Sequence, residues 1–376
     1  MARNNGRVLS LFILFTLLLP PSLSSAQERV VPSSRVTSHL KVRALNNVNS
    51  QIVGRLLPNE SAEFLESVPY WYHIRLDDGP PGYVSKAYSE KISVAEESGQ
   101  VVRLGSWNIK NLGYDNSKDF QLVAQIIESN FDILVILEVM RKGGGHPGYD
   151  TLLTTLGSGW GGLVTDTPRP NTTAVTYAEF YAVLYRNALV RPCNGWSQLI
   201  YHTDNDGSSN ASGPPDNFSR EPAYGCFEAP MNTNTVGVDF MLAAFHALGT
   251  GHSVTLRKAE AGHLNEVFQA MEASRPGERD LLIAGDFNLV PRQLRQAVTY
   301  SVNTQGTGST LDDGERTDNL YDHLLVYDEA ATSEMIGDPE IIDIRNVATS
   351  NLVFFQTISD HLPIVVRMRS SGPDDD

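Results

Sequence analysis

The residues able to do chemistry stand at the ends of apolar runs. The run from Asp132 to Leu137 meets Glu138, the run from Phe240 to Phe245 meets His246, and the run from Leu281 to Gly285 meets Asp286, with Asn288 two residues on. Gly105-Ser106-Trp107 leads into Asn108, and Ile358-Ser359 into Asp360-His361. A lone carboxylate or imidazole at the end of a buried strand is costly unless it is paired or bound to a metal. One such residue is an ordinary strand end. Five, supplying Glu, Asp, Asn and His, are the residue types that bind metals and move protons, and they point to one converging site.

Those residues need a scaffold of alternating elements. The pattern predicts strands over Val101 to Ile109, Phe131 to Val139, Phe180 to Arg186, Val238 to Ala247, Asp280 to Phe287 and Leu362 to Met368. It predicts a helix over Lys118 to Ser129, with Phe120, Val123, Ile126 and Ile127 on one face. A second helix spans Leu256 to Ala273, with Leu256, Ala259, Leu264, Val267, Phe268 and Met271 at core spacing. Residues 101–369 therefore read as an α/β domain, and residues 370–376 as a disordered tail.

Upstream, the texture is different. His39 to Arg43 and Trp71 to Leu76 alternate, and polar turns separate short strands that end at Gly82-Tyr83-Val84. LKVR, VGRL and WYHIRLDDGPPGYV resemble the bacterial SH3-like domain, which implies a small all-β barrel within residues 27–100 and a cell-wall ligand. A folded spacer without a ligand fits the same pattern. Residues 95–100 form the polar linker.

Arg3 and Arg7 precede the apolar run Val8 to Leu19, and Ser24-Ser25-Ala26 offers small residues for cleavage, so residues 1–26 read as a secretory signal peptide. The two cysteines, Cys193 and Cys226, flank a polar stretch, and in an exported chain they are expected to form one disulfide. The formal net charge is -15, or -17 without Arg3 and Arg7. That excludes binding nucleic acid through a broad basic surface; were the substrate DNA, attraction would have to come from a local patch and bound cations.

Together SWNIKNLG (106–113), ILEV (136–139), AGDFN (284–288) and SDHLP (359–363) resemble the endonuclease/exonuclease/phosphatase superfamily over about Val102 to Arg369. The resemblance implies two mixed β-sheets packed face to face with helices outside, and metal-dependent hydrolysis of phosphoesters. Thr176 to Tyr181, Asn217 to Pro222 and Tyr321-Asp322-His323 are closest to the pancreatic-type deoxyribonuclease branch, which implies DNA as the substrate. By resemblance Glu138 is the main metal ligand, with Asn108 and Asp360 nearby, for magnesium or manganese. His246 and His361 are the acid/base pair, oriented by Glu179 and Asp322, and Asp286 and Asn288 position the attacking water. Lys110, Tyr177 and Arg220, with Asn108, match substrate contacts. Asp216 and Glu221 match one structural calcium site, while Asp312, Asp313 and Asp318 are acidic but out of register with the other.

Two departures stand out: Met140 occupies the place of the family's groove-binding arginine, and Leu320 that of a disulfide cysteine. A lipid or inositol phosphate hydrolase on the same fold is the competing reading, though no exposed aromatic hairpin is evident. A non-catalytic wall-binding protein would have lost core site residues, and none is missing.

Overall fold

A computed structural model describes residues 27–33, 35–36, 38–57, 60–76, 79–94, 101–115, 117–166, 179–202, 217–232, 235–302, 304–327 and 334–370. Tyr177, Asp216, the expected signal peptide, the linker and residues 371–376 of the tail lie outside these. The chain divides into two compact units at Ser98/Gly99.

The first unit is a single antiparallel sheet of β1 (Gln27–Pro32), β2 (Leu40–Arg43), β3 (Ile52–Leu56), β4 (Ala62–Val68), β5 (Trp71–Arg75), β6 (Pro81–Ser85) and β7 (Ser89–Val94). Its order is β3-β2-β6-β5-β4-β1-β7. Leu40 and Val42 on β2 face inward with Val30, Leu56, Ala62, Ile74 and Val84. The all-β expectation holds. Among the described residues β3 and β7 are the edge strands, with no pairing between them. β1 and β7 were not anticipated. They pair with each other along six residues, a long-range match that local alternation cannot announce.

The second unit runs β8 (Val101–Leu112), α1 (Phe120–Asn130), β9 (Ile133–Met140), α2 (Pro147–Leu156), β10 (Trp160–Val164), β11 (Glu179–Arg186), β12 (Arg191–Pro192), β13 (Ile200–Tyr201), β14 (Ala223–Asn232) and β15 (Thr235–His246). It continues with α3 (Val254–Gly262), α4 (Leu264–Ser274), β16 (Leu281–Asp286), α5 (Pro291–Leu294), β17 (Ser301–Val302), β18 (Leu311–Asp312), β19 (Glu315–Arg316), β20 (Asp322–Val326), β21 (Met335–Ile341), α6 (Asn351–Thr357) and β22 (Ile364–Arg369). One sheet has the order β10-β11-β9-β8-β22-β21, the other β12-β14-β15-β16-β20-β17. Both are mixed: β8–β9 and β15–β16 are parallel, and the other pairs are antiparallel.

The second sheet is buried on both faces, which explains its continuous apolar runs. Leu242, Ala244, Leu282 and Ala284 join the large core shared with the first sheet. Their alternates Met241, Ala243, Leu281 and Ile283 pack under α3 and α4 with Val267, Phe268 and Met271. Gly285 (φ 154°) permits this tight pairing: a Cβ there would sit 1.9 Å from the Phe245 carbonyl oxygen and push β15 away from β16.

The expected 256–273 helix is two helices, broken at His263. Leu256 is 52% exposed and Ala259 is exposed, while Arg257 and Glu260 are buried. The apolar pattern misleads there because α3 covers loop backbone, whose amides and carbonyls demand polar partners. Similarly, α1 starts at Phe120 with Asp119 as its N-cap, and Lys118 precedes the cap. Asp312 ends β18 and Asp313 begins the exposed hairpin turn to β19, an acidic sequence explained by turn chemistry.

Cys193 and Cys226 form a disulfide that ties the chain just after β12 to β14. Replacing both with serine is expected to cost about 3–4 kcal/mol through loop entropy, read as a lowered denaturant midpoint. An unchanged midpoint would rule that contribution out. Among the described residues no helix is long and apolar enough to cross a membrane.

Candidate active site

The register of the second sheet sets out half of the site. His246 pairs with Asp286, and Asp286 with Asp322, so three polar residues stand in a row across β15, β16 and β20. Alternation selects their face. Ala244, Ala284 and Leu324 belong to the core shared with the first sheet, so residues two away emerge on that same side. His323 turns the other way, packs edge-on to Phe287 and donates from Nε2 to the Leu289 carbonyl at 2.8 Å. Burial holds its pKa down to about 4, which makes it a neutral structural histidine.

The first sheet supplies the other half. Asn108 lies opposite Leu137, and beyond that point both strands leave regular geometry. Lys110, Asn111, Glu138 and Asn288 all have left-handed backbone, with φ of 45°, 53°, 58° and 49°. Such conformations cost roughly 1–3 kcal/mol each and gather where side chains must be re-aimed. The turn at Glu138 leaves Oε1 accepting from Asn108 Nδ2 at 3.0 Å, and Oε2 from the Asn111 amide at 2.8 Å.

Two imidazole–carboxylate pairs flank Asp286. His246 Nδ1 is 2.9 Å from Glu179 Oε2, and His361 Nδ1 is 2.8 Å from Asp322 Oδ2. The opposite ring nitrogens, both Nε2, approach the same atom, Asp286 Oδ2, at 3.8 and 3.7 Å. Asp286 Oδ1 accepts from the Asn288 amide at 2.9 Å, and Asn108 Nδ2 is 3.4 Å from Oδ2.

Burial disfavours charge on His361, His246, Asp286 and Glu179, and their neighbours decide the outcome. For His361 burial is overcome by Asp322 and Asp286, which raise its pKa to about 10. For His246, burial and the adjacent Arg220 act downward, but Glu179 and Asp286 leave it raised. Burial raises Asp286 despite His361. Glu179 is pushed up by burial, yet His246 and Arg220 hold it at about 2. Because this folded value lies below the unfolded one, near 4.5, the stability that Glu179 contributes is present above about pH 4.5 and is lost as pH falls through about 2. Wild type should lose on the order of a few kcal/mol more than Glu179→Gln across that window. Parallel acid unfolding curves for the two would contradict this.

The other expected contacts are placed unevenly. Lys110 Nζ lies 3.1 Å from Asp360 Oδ2 and over the Phe355 ring. Arg220 Nε donates to Glu179 Oε1 at 3.0 Å, and its Nη1 donates to the Ala247 carbonyl at 2.9 Å, so its first task is to hold the Glu179–His246 pair. Glu221 is partly buried next to it. Met140 is buried, 2% exposed.

Several supporting residues escaped the sequence reading. Ser359 Oγ donates to the Asn108 carbonyl at 2.6 Å and accepts from the His361 amide at 3.0 Å, stitching β8 to the Asp360-His361 loop. Ser309 Oγ accepts from the Tyr321 and Asp322 amides, at 2.9 and 3.1 Å. Lys118 Nζ donates to the carbonyls of Ile109, Lys110 and Ile358; burial lowers its pKa to about 8 despite Asp360 and Glu138. From α3, Arg257 donates to the Asn288 carbonyl, and Glu260 accepts from the Ser219 and Leu248 amides at 2.7 and 2.6 Å. Ser359 lies inside a motif that could have flagged it. The rest carry no local signal, because each acts on backbone distant in sequence.

A family profile described as Endonuclease/Exonuclease/phosphatase family matches residues 105–361, and one described as Bacterial SH3 domain matches residues 38–90. A protein named Deoxyribonuclease from Thioalkalivibrio sp. (strain K90mix) is 31% identical over 279 residues, 70% of this chain and 70% of its own. A solved endonuclease/exonuclease/phosphatase family protein from Bacteroides thetaiotaomicron superposes with a TM-score of 0.50 at 15% identity, across 72% of this chain and 98% of that one. Another, from Bacteroides vulgatus, gives 0.49 at 17% identity, across 72% and 100%.

Proposed function

Because residues 105–361 make this chain a member of the endonuclease/exonuclease/phosphatase family, behind a bacterial SH3 domain, we propose that it is an exported, divalent-metal-dependent endonuclease cleaving DNA with little sequence specificity. The observation that carries this reading is Asp286 Oδ2 set between two imidazole Nε2 atoms, each ring backed by its own carboxylate. DNA is favoured over lipid or inositol phosphates by the relative named Deoxyribonuclease. The proposed division is signal peptide 1–26, SH3-like domain and linker 27–100, catalytic domain 101–369 and tail 370–376. Export rests on the apolar leader and agrees with the disulfide.

Enzymes of this family generally use divalent metal ions. The donor types here fit a hard cation: Asn108 Nδ2 reaches both Glu138 and Asp286, and the carboxylate of Asp360 holds the ammonium of Lys110, which itself follows Asn108 by two residues. Glu138, Asn108 and Asp360 would hold magnesium or manganese. When bound, the ion neutralises the scissile phosphate and its developing charge.

The protein's own groups perform the proton chemistry. Asp286 and Asn288 hold the attacking water beside His246, whose ring Glu179 fixes in one orientation. As water attacks phosphorus, His246 takes its proton, the phosphorus–oxygen bond breaks, and protonated His361 gives a proton to the leaving oxygen. Asp322 keeps that proton available at neutral pH. Lys110, Arg220 and Tyr177 are assigned to phosphate and groove contact through the resemblance. Calcium at Asp216 and Glu221 remains part of this reading only through the resemblance.

The test is digestion of supercoiled plasmid with magnesium, with and without EDTA. Nicking that EDTA abolishes is the expected result. Intact plasmid alongside hydrolysis of a phospholipid or inositol phosphate would overturn the proposal.

A further inference from the structure

Charge is distributed unevenly along the chain, and that leaves the acidic catalytic domain with a substrate problem. Residues 99–376 carry 19 Lys and Arg against 35 Asp and Glu, whereas residues 27–98 carry 8 against 9. A domain so acidic repels a polyanion at any distance shorter than the screening length. The first unit is nearly neutral, and its cations are collected. On β2 the inward residues are Leu40 and Val42, so alternation places Lys41 and Arg43 on the opposite face, with His39 next in the row. These three line a cavity of about 370 Å³ together with Arg35, Trp71 and Tyr88, and no carboxylate is among its lining residues. Among the described residues neither Arg35 nor Lys41 is in an ion pair. Arg43 is anchored to the Ser50 carbonyl. Tyr88 is 53% exposed, and Trp71 forms the buried floor.

Cations repeating every second residue of a strand, about 6.6–6.8 Å apart, beside an open aromatic ring are the combination that holds an extended nucleic-acid strand, phosphates on the cations and bases on the ring. We propose that this cationic cavity of the SH3-like unit binds single-stranded DNA and so retains substrate for a catalytic domain that would otherwise repel it. The proposal deepens the deoxyribonuclease reading and rests on it for its purpose. The binding itself can be tested separately.

The full-length protein is compared with Arg35→Glu/Lys41→Glu, both exposed positions, and with Tyr88→Ala. Binding of a fluorescent 12-residue oligothymidylate is followed by anisotropy in EDTA, where no turnover occurs, and circular dichroism checks folding. The double variant should bind at least about 10-fold more weakly, and its log Kd against log salt slope should fall by about 1.4, two phosphate contacts' worth. Tyr88→Ala should lose about 5-fold or more, the lower end for one stacked base. The rate on bis(4-nitrophenyl) phosphate, too small to need the cavity, should not change. Equal oligonucleotide affinity in wild type and double variant overturns the proposal. So does displacement of the oligonucleotide by soluble peptidoglycan fragments at lower concentration than by DNA, which would assign the cavity to cell wall. If the oligonucleotide binds as expected but plasmid is never cut, the cavity stands and the deoxyribonuclease reading falls. If plasmid is cut while the double variant binds DNA normally, the reverse holds.

Discussion

His246→Ala and His361→Ala should each lower plasmid cleavage by about 10²–10⁴-fold, the usual worth of a positioned acid or base. The expectation follows from their shared target. Both Nε2 atoms converge on Asp286 Oδ2, so removing either ring empties one side of the same reaction centre. Combining the two substitutions should cost little more than the worse one, because the pair acts as a unit. The partners give a graded version. Asp322→Asn retains the ring but removes the negative charge that helps hold His361 at about 10. Its activity should decline at lower pH than wild type on the alkaline side, as the imidazole loses its proton earlier. Wild-type rates from both alanine variants at saturating magnesium would remove the histidines from the mechanism.

Glu138→Gln should reduce activity by roughly 10²–10³-fold at fixed magnesium, since the ion's charge stabilisation is worth several kcal/mol and each 1.36 kcal/mol is tenfold in rate. Raising magnesium should recover part of that loss, which separates weakened metal binding from damaged chemistry. Glutamine keeps one acceptor for Asn108 or the Asn111 amide, and it removes a negative charge that shares Asn108 with the carboxylate of Asp286. In EDTA its melting temperature should therefore stay at or above that of wild type. A variant that melts far lower, or one as active as wild type at low magnesium, would contradict the metal role.

The catalytic half of the fold was legible because its strands are buried on both faces and end on polar residues. Asn108, Glu138, His246, Asp286 and the Asp360-His361 pair are such ends, and the structure gathers them. The family and its two mixed sheets followed from the same motifs. The supporting layer was not legible. Ser359 reaches Asn108 across 251 positions, and Ser309 reaches Asp322 across 13, each through one hydroxyl. On α3 the apolar period pointed the wrong way, since Leu256 faces solvent while Arg257 and Glu260 serve the loops. In the first unit alternation found β2 to β6 but neither β1 and β7 nor the pairing between them.

What the sequence determines by itself is therefore the inventory: which side chains end which strands, and which family they belong to. Strand alternation and apolar runs are local, so they can be read along the chain. Tertiary structure alone decides which ends meet. The register His246–Asp286–Asp322 depends on hydrogen bonds between strands whose paired residues are 40 and 36 positions apart, and on a glycine that lets two of them approach. Only that register makes one carboxylate the meeting point of two histidines, and only the folded first unit brings Arg35, Trp71 and Tyr88 beside Lys41 and Arg43.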